Sequence, residues 1–430
     1  MSTDGLDSRD ELRQRLRRLG VVRGVTALPP SPRRRLAIES LVEGTFHDTP
    51  HGRCFVAQPA FPADHRHGDF PLDGFLGLSP QALAAMSGEP ALAGVELERV
   101  LFLDTETTGL SGGSGTMAFL VGLGFFEEGR FRLLQPFLRD PGDEPALVDF
   151  LAEWLPRFQA LVTFNGRGFD LPILENRFIL ARRPFPLAGA PHLDLLGPAR
   201  RLWRERLASC ALGSLEREVL GVQRDQADVP SGVIPLIYRD YLRTGDAREI
   251  ARVLYHNQVD VLSMVTLAAR LCRAFEDPRT SPALVGSELY GLARWYAAAG
   301  GDVEGALRSA LAAGLPSELR RRALHDLAQR LKREGRWQEA LQWWQQAAVE
   351  DSDDVLAAEE LARLFEWRLG RLALAAGWTR LALARAERWP PGPRRERTLA
   401  ALRHRLARLT HPRPAGDDDR SASSRTLTPG

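Results

Sequence analysis

At 430 residues, 44% hydrophobic and with a net charge of only +2, the chain has room for two or three domains and is not a strongly basic coat for nucleic acid. No apolar run approaches a membrane span; the longest, residues 117–126, better suits a buried strand, and no membrane association is expected. Three distant cysteines, Cys54, Cys210 and Cys272, make neither a disulfide framework nor a thiolate zinc set, and the polar N-terminus lacks a signal-peptide core, so the cytoplasm is the expected compartment.

In chain order, residues 1–35 read as a mobile arm carrying Arg13, Arg15, Arg17, Arg18 and Arg33-Arg34-Arg35. Arginine supplies nearly all the positive charge, the one lysine being Lys332, and its fork suits phosphate. Residues 36–95 read as a Pro- and Gly-rich lead-in, of short strands or irregular structure. Its His47, His51, Cys54, His65 and His67 suggest a metal cluster at first sight, but their spacings fit no zinc signature. Residues 96–275 read as an α/β unit. Three strands are expected within 98–138, with a turn at Glu127-Glu128-Gly129-Arg130, then a helix over 143–156 and a strand over 160–164. A helix after Asp170 and further helices near 212–220, 233–243 and 246–273 complete a sheet with helices on both sides. From 285 to 408 no strand pattern appears and Ala and Leu dominate. Residues 322–350, with Leu324, Leu327, Ala328, Gly335, Trp337, Ala340, Leu341, Trp344, Ala347 and Ala348, resemble a tetratricopeptide helix pair. Looser copies surround Gly300 and Gly370, and about three such units are needed for a stable stack; a plain helical bundle is the alternative. Residues 411–430 read as a disordered tail.

The chemistry concentrates in three segments. In Leu101-Phe102-Leu103-Asp104-Thr105-Glu106-Thr107-Thr108-Gly109 an apolar run ends in two carboxylates at i and i+2, which share one face of a strand. Two buried anions side by side are costly unless a cation lies between them, and oxygen donors suit a hard divalent ion. The second segment, Thr163-Phe164-Asn165-Gly166-Arg167-Gly168-Phe169-Asp170, reads as strand, turn and helix start. In the third, Tyr255-His256-Asn257-Gln258-Val259-Asp260, His256 and Asp260 are i, i+4 on one helix face. Four carboxylates, Asp104, Glu106, Asp170 and Asp260, make a set suited to two-metal phosphoryl chemistry.

These segments resemble motifs I, II and III of the DEDD 3′–5′ exonucleases of the ribonuclease H-like superfamily. His192-Leu193-Asp194-Leu195-Leu196 and Asp228-Val229-Pro230-Ser231-Gly232-Val233-Ile234-Pro235 extend the likeness to the bacterial YprB-type branch, over roughly residues 95–273. The resemblance implies a ribonuclease H-like mixed sheet flanked by helices. It also implies a metal-dependent nuclease, most simply a 3′–5′ exonuclease, using two Mg²⁺ or Mn²⁺ ions on Asp104, Glu106, Asp170 and Asp260. The nucleic-acid substrate would enter as a single-stranded end, and the helical repeats could carry a protein partner.

The pattern departs from the superfamily at the general base, which is either Tyr separated from the last Asp by three intervening residues or His separated from it by four. Here His256 has the first spacing and Tyr255 the second. The i, i+4 geometry favours His256 as base, with Tyr255 turned away by about 100 degrees. Thr107 and Asn165 are candidate substrate contacts. Asp194 is open between supporting the site and capping a helix. The loop Ser111-Gly112-Gly113-Ser114-Gly115-Thr116 could meet a phosphate. Arg200-Arg201-Leu202-Trp203-Arg204 is either a strand-binding patch or a solvated helix face with Trp203 on the core. Structure-specific endonuclease action and a catalytically weak scaffold working through its repeats are the rival functions.

Overall fold

The computed structural model describes residues 35–109, 115–225, 228–278 and 284–410. The Arg-rich arm up to residue 34, the loop residues Ser111 to Ser114 and the tail from 411 lie outside them. The central strand, β6 (Val100–Thr107), opens with four fully buried apolar residues because both of its faces are covered. On one side it pairs antiparallel with β7 (Ala118–Glu127), which continues through the Glu128-Gly129 turn into β8 (Arg130–Phe137). On the other side it pairs parallel with β9 (Ala160–Thr163), and β9 pairs parallel with β10 (His192–Asp194).

The stretch read from sequence as a lead-in joins this sheet. β1 (Gly44–Thr49) and β2 (Gly52–Ala57) form a hairpin that pairs onto β8, and β3 (Ala60–Pro62) pairs with β8 as well. The result is an eight-stranded mixed sheet in the order β1-β2-β8-β7-β6-β9-β10, with β3 beside the path. A two-residue pair, β4 (Arg66–His67) and β5 (Phe70–Pro71), stands apart. The lead-in histidines bind protein partners. His47 meets Glu153 at 3.0 Å, His51 meets Asp149 at 2.7 Å and His67 meets Ser263 at 2.8 Å.

Helices cover both faces. α1 (Pro80–Ser87) and α4 (Leu196–Trp203) lie over one face; α2 (Glu144–Trp154), α3 (Asp170–Leu180) and α6 (Ile234–Thr244) lie over the other. A short α5 (Leu212–Leu215) runs into a π-helical turn, Glu216–Leu220. α7 (Arg248–Glu276) serves both cores. Its first turns bury Ile250, Val253 and Leu254 among the residues of the second face, and from Val259 onward it packs into the first.

The remaining chain is helical: α8 (Gly286–Ala299), α9 (Val303–Ala313), α10 (Ser317–Arg333), α11 (Trp337–Glu350), α12 (Val355–Trp367), α13 (Leu372–Glu387) and α14 (Pro393–Thr410). Gly300, Gly335 and Gly370 fall at the turns after α8, α10 and α12, all with positive φ. This region shares its core with the sheet. Trp203 of α4 is fully buried and donates its indole N–H to Glu288 Oε1 at 2.8 Å, and Trp295 donates to Met86 O at 3.2 Å. Trp203 is therefore packing, and stacking on a nucleic-acid strand is ruled out for it. No described helix is long and apolar enough to cross a membrane.

Candidate active site

Asp104 and Glu106 stand at the C-terminal end of β6, on the face that α7 crosses. The ladder with β7 shifts register between Glu106 and Thr107, an irregularity common where a strand re-aims side chains. α7 approaches closely because β7 carries Gly122 and Gly124 opposite it. A Cβ on Gly122 would lie 2.5 Å from Asn257 Oδ1, and one on Gly124 would lie 2.4 Å from Val261 Cγ1. The two glycines thus let the backbone of α7 settle where His256 and Asp260 face the end of β6. Asp170 enters from the first residue of α3 and accepts a 2.5 Å hydrogen bond from the Thr105 hydroxyl.

The four acids repel one another. Burial, then Asp260 and Asp170, hold the Asp104 carboxyl well above the ordinary carboxylate range. Glu106 is raised in the same direction by burial and by Asp104, Asp260 and Asp170. Burial pushes Asp170 up to about 6 and also raises Asp260, against the pull of Arg224. Asn257, fully buried, donates to Asp104 Oδ2 at 2.8 Å and accepts from Gln135 Nε2 at 2.8 Å, fixing one carboxylate.

Arg224 answers part of this charge. Arg224 donates to both oxygens of Glu216, at 2.7 and 2.6 Å, and also to Asp260 and to Asp228. Glu216 itself is buried and accepts from Ser263 Oγ at 2.7 Å. His256 is buried beside this group. Its Nδ1 lies 2.7 Å from Asp228 Oδ1, and its Nε2 points into the cluster, 3.7 Å from Asp260 Oδ2 and 3.9 Å from Glu106 Oε1. Arg224 Nη1 also lies 2.9 Å from His256 Nδ1. A protonated Nδ1 cannot accept from it, so Asp228 is best read as the shared acceptor of both. Ser231 Oγ stands 3.2 Å from Nε2. Tyr255 turns the other way, its hydroxyl paired with Asp225.

Among the described residues, no three His, Cys, Asp or Glu side chains already stand at metal-coordinating distances from one another. The acids are neighbours in charge, not a closed cage, and Arg224 stands among them. The donor set still fits a hard divalent ion. All four groups offer oxygen, all are at least largely buried, and burial raises all four, with acidic neighbours adding to the rise at Asp104 and Glu106.

The other sequence candidates fall nearby. Asn165 is exposed on the turn after β9, in the left-handed region at φ 66, a conformation Asn tolerates. Thr107 is buried, with its hydroxyl donating to Gly109 O at 2.7 Å. Asp194 organises the turn: it accepts from the backbone N–H groups of Asn165 at 2.8 Å, Arg167 at 3.2 Å and Leu196, the first residue of α4, at 3.1 Å. Sequence reasoning missed Glu216, Arg224, Asp228 and Asn257 as members of the site. Asn257 had a signal, being adjacent to His256 and one turn before Asp260; Glu216 and Arg224 had none, since only the tertiary fold brings them in.

A profile of the RNase H superfamily matches residues 101–272. The uncharacterized protein YprB of Bacillus subtilis (strain 168) is 32% identical over 320 residues, covering 73% of this chain and 76% of that protein. This chain belongs to the RNase H superfamily. The superfamily match spans β6 through most of α7, the elements that bring the four acids and His256 together. RNase H-like folds are those of nucleases, so the fold indicates a hydrolase with a nucleic-acid substrate.

Proposed function

We propose that this protein is a divalent-metal-dependent nuclease of the DEDD type, a 3′–5′ exonuclease acting on a single-stranded end. The observation that carries the reading is the convergence of Asp104, Glu106, Asp170 and Asp260 as buried carboxyls with raised pKa, of which Asp260 is ion-paired with Arg224. Unused buried acids only weaken a domain, so their joint presence calls for a cation. Asp104, Glu106, Asp170 and Asp260 would hold Mg²⁺ or Mn²⁺. When bound, such ions stabilise charge on the attacking and leaving oxygens of a displacement at phosphorus.

The chain's own groups would do the rest. Asp228 fixes the His256 ring by its Nδ1–H, leaving Nε2 turned toward Glu106 and Asp260, where it would take the proton of the attacking water. Asn257 holds Asp104 in place. Asn165, exposed on its turn, would touch the substrate. Thr107, with its hydroxyl engaged by Gly109, would act only through the backbone it shapes. The helical region, read as tetratricopeptide-like, would carry a protein partner.

The test is cleavage of 5′-labelled single-stranded DNA and RNA with Mg²⁺ or Mn²⁺, comparing wild type with Asp104→Ala. A ladder shortening from the 3′ end, lost in the variant and in EDTA, is expected. Internal cuts with the same dependence would make the protein an endonuclease. No cleavage of single-stranded, duplex or structured substrates would leave the fold as a scaffold.

A further inference from the structure

We infer that the cleft beside the C-terminal ends of β9 and β10 is a binding track for the phosphodiester backbone of single-stranded nucleic acid, with Arg167, Arg200 and Arg201 as its phosphate contacts. The inference rests on the nuclease reading for its purpose, though not for its geometry. The cleft encloses about 350 Å³ and is lined by these three arginines together with Gly88, Glu89 and Asp194. The arginines come from two elements. Arg167 lies on the turn that follows β9, and Arg200 and Arg201 lie on α4. All three are exposed, and Arg200 and Arg201 form no ion pair with any described carboxylate within 4.0 Å, the pairs around them being Arg204–Glu205 at 3.5 Å and Arg206–Glu288 at 3.2 Å.

Two acids share the lining, and one of them is already engaged. Asp194 accepts from three backbone N–H groups, so its charge is answered by the turn it organises. Glu89, half-buried, is the other, so three guanidinium groups stand against two carboxylates. The cleft therefore keeps an excess of positive charge, in a protein whose net charge is only +2. Arg201 also borders a second, mostly apolar hollow of about 470 Å³ beside Met86 and Trp295, its guanidinium 5.9 Å from the Trp295 ring.

Its placement relative to the acids gives the cleft a role. β6, β9 and β10 are parallel neighbours, with Phe102 level with Val162 and Asp194 level with Thr163. Asp194 and Asp104 therefore sit within about one residue of the same height, two strand spacings apart, or roughly 10 Å. The Asn165 turn lies between them, and Asp194 accepts from its backbone. A strand with its terminal phosphodiester at the four acids would cross that distance within a few nucleotides and meet the arginines. Guanidinium forks suit phosphate oxygens and carry no base preference. Trp203, buried beneath Arg200 and Arg201, holds α4 in place without stacking on bases.

The test is fluorescence anisotropy of 5′-labelled dT and rU oligonucleotides in EDTA, where no cleavage occurs, measured against salt. The slope of log K against log salt is expected to fall by about 1.4 in Arg200→Ala/Arg201→Ala, two contacts at roughly 0.7 each. Affinity at fixed salt should fall about tenfold or more. Arg200→Lys/Arg201→Lys should keep the slope. Arg130→Ala/Arg239→Ala, two exposed arginines elsewhere, serves as the control. Unchanged binding in the Arg200/Arg201 variant, an equal loss in the control, or no binding by wild type overturns the track. Similar effects on dT and rU point to the phosphate alone, and a loss confined to rU points to the sugar. Hydrolysis of thymidine 5′-monophosphate p-nitrophenyl ester by the wild-type protein with Mn²⁺ separates the two readings, because this substrate has no strand to hold. Turnover of the ester with unaffected strand binding removes the track and leaves the nuclease standing; strand binding that depends on the arginines without turnover does the reverse.

Discussion

Asn257→Ala tests whether α7 and β6 are locked together at the acid cluster. The side chain is fully buried, donates to Asp104 and accepts from Gln135, each at 2.8 Å. Losing a hydrogen bond to a charged group costs about 1.5–3 kcal/mol, and a neutral one about 1 kcal/mol. Gln135 keeps its second bond, to Leu254 O at 2.8 Å, which limits its own penalty. With the void left behind, the expected loss is about 3–5 kcal/mol. Gly122→Ala attacks the same contact from the other side. Its Cβ would lie 2.5 Å from Asn257 Oδ1 and 2.9 Å from both Asn257 Nδ2 and Val261 Cγ2, so about 1–3 kcal/mol of overpacking is expected. Truncating Asn257 removes two of those three clashes. The double variant should therefore be more stable than the sum of the singles by about 1–2 kcal/mol. Urea denaturation followed by circular dichroism, in EDTA and with unchanged m-values, gives all four corners of the cycle. Additivity within about 0.5 kcal/mol, or a cost below about 1 kcal/mol for Asn257→Ala, would refute this account of the packing.

Other expectations follow from neighbouring contacts. Arg224→Gln leaves Glu216, 1% exposed, without its counter-charge and should cost about 3–5 kcal/mol. Mn²⁺ should then raise the melting temperature of this variant more than that of wild type; equal shifts would show that Arg224 does not stand in the cation's place. His256→Ala should lower cleavage by about 10²–10⁴-fold with intact folding, and near-normal turnover would remove it as the base. Burial holds His67 down to about 4 against an ordinary 6.5, so the folded state binds fewer protons than the unfolded state between those values. Stability from this residue is complete above about pH 6.5 and is lost as pH falls toward about 4, by about 3 kcal/mol. The stability difference between wild type and His67→Gln, measured across that window, should shrink as pH falls; a constant difference would refute it. Trp203→Ala should cost about 3–5 kcal/mol and melt sheet and helical region in one transition, whereas two separated transitions would mean the cores are independent.

The sheet's inner strands were legible because burial on both faces writes itself as an unbroken apolar run, as in β6 and β7. The acid pair was legible because strand periodicity alone puts Asp104 and Glu106 on one face, and α7 because His256 and Asp260 are one turn apart. The strands β1–β3 were legible only as short strands or irregular chain, since β1 is a half-exposed edge, β2 is six residues long with only its last four buried, and β3 is a three-residue piece preceded by Pro59 and ending at Pro62. Arg224 and Glu216 were invisible for a different reason. A buried ion pair between residues eight apart has no local periodicity, and its meaning lies in Asp260, a further 36 residues on. Trp203 among arginines read first as core and second as a stacking platform, and the carboxylate of Glu288 from the following region decided for the core.

The shared core between sheet and helical region has a mechanical consequence. α4 meets α8 so closely that a Cβ on Gly291 would lie 2.6 Å from Arg201 O, and Tyr296 donates to Phe275 O at 2.5 Å at the end of α7. α8 is bolted to the frame that carries the acids, as a workbench clamp is bolted to its saw. It thus takes its direction from that frame, so the start of the helical region is set by the sheet and not by a tether.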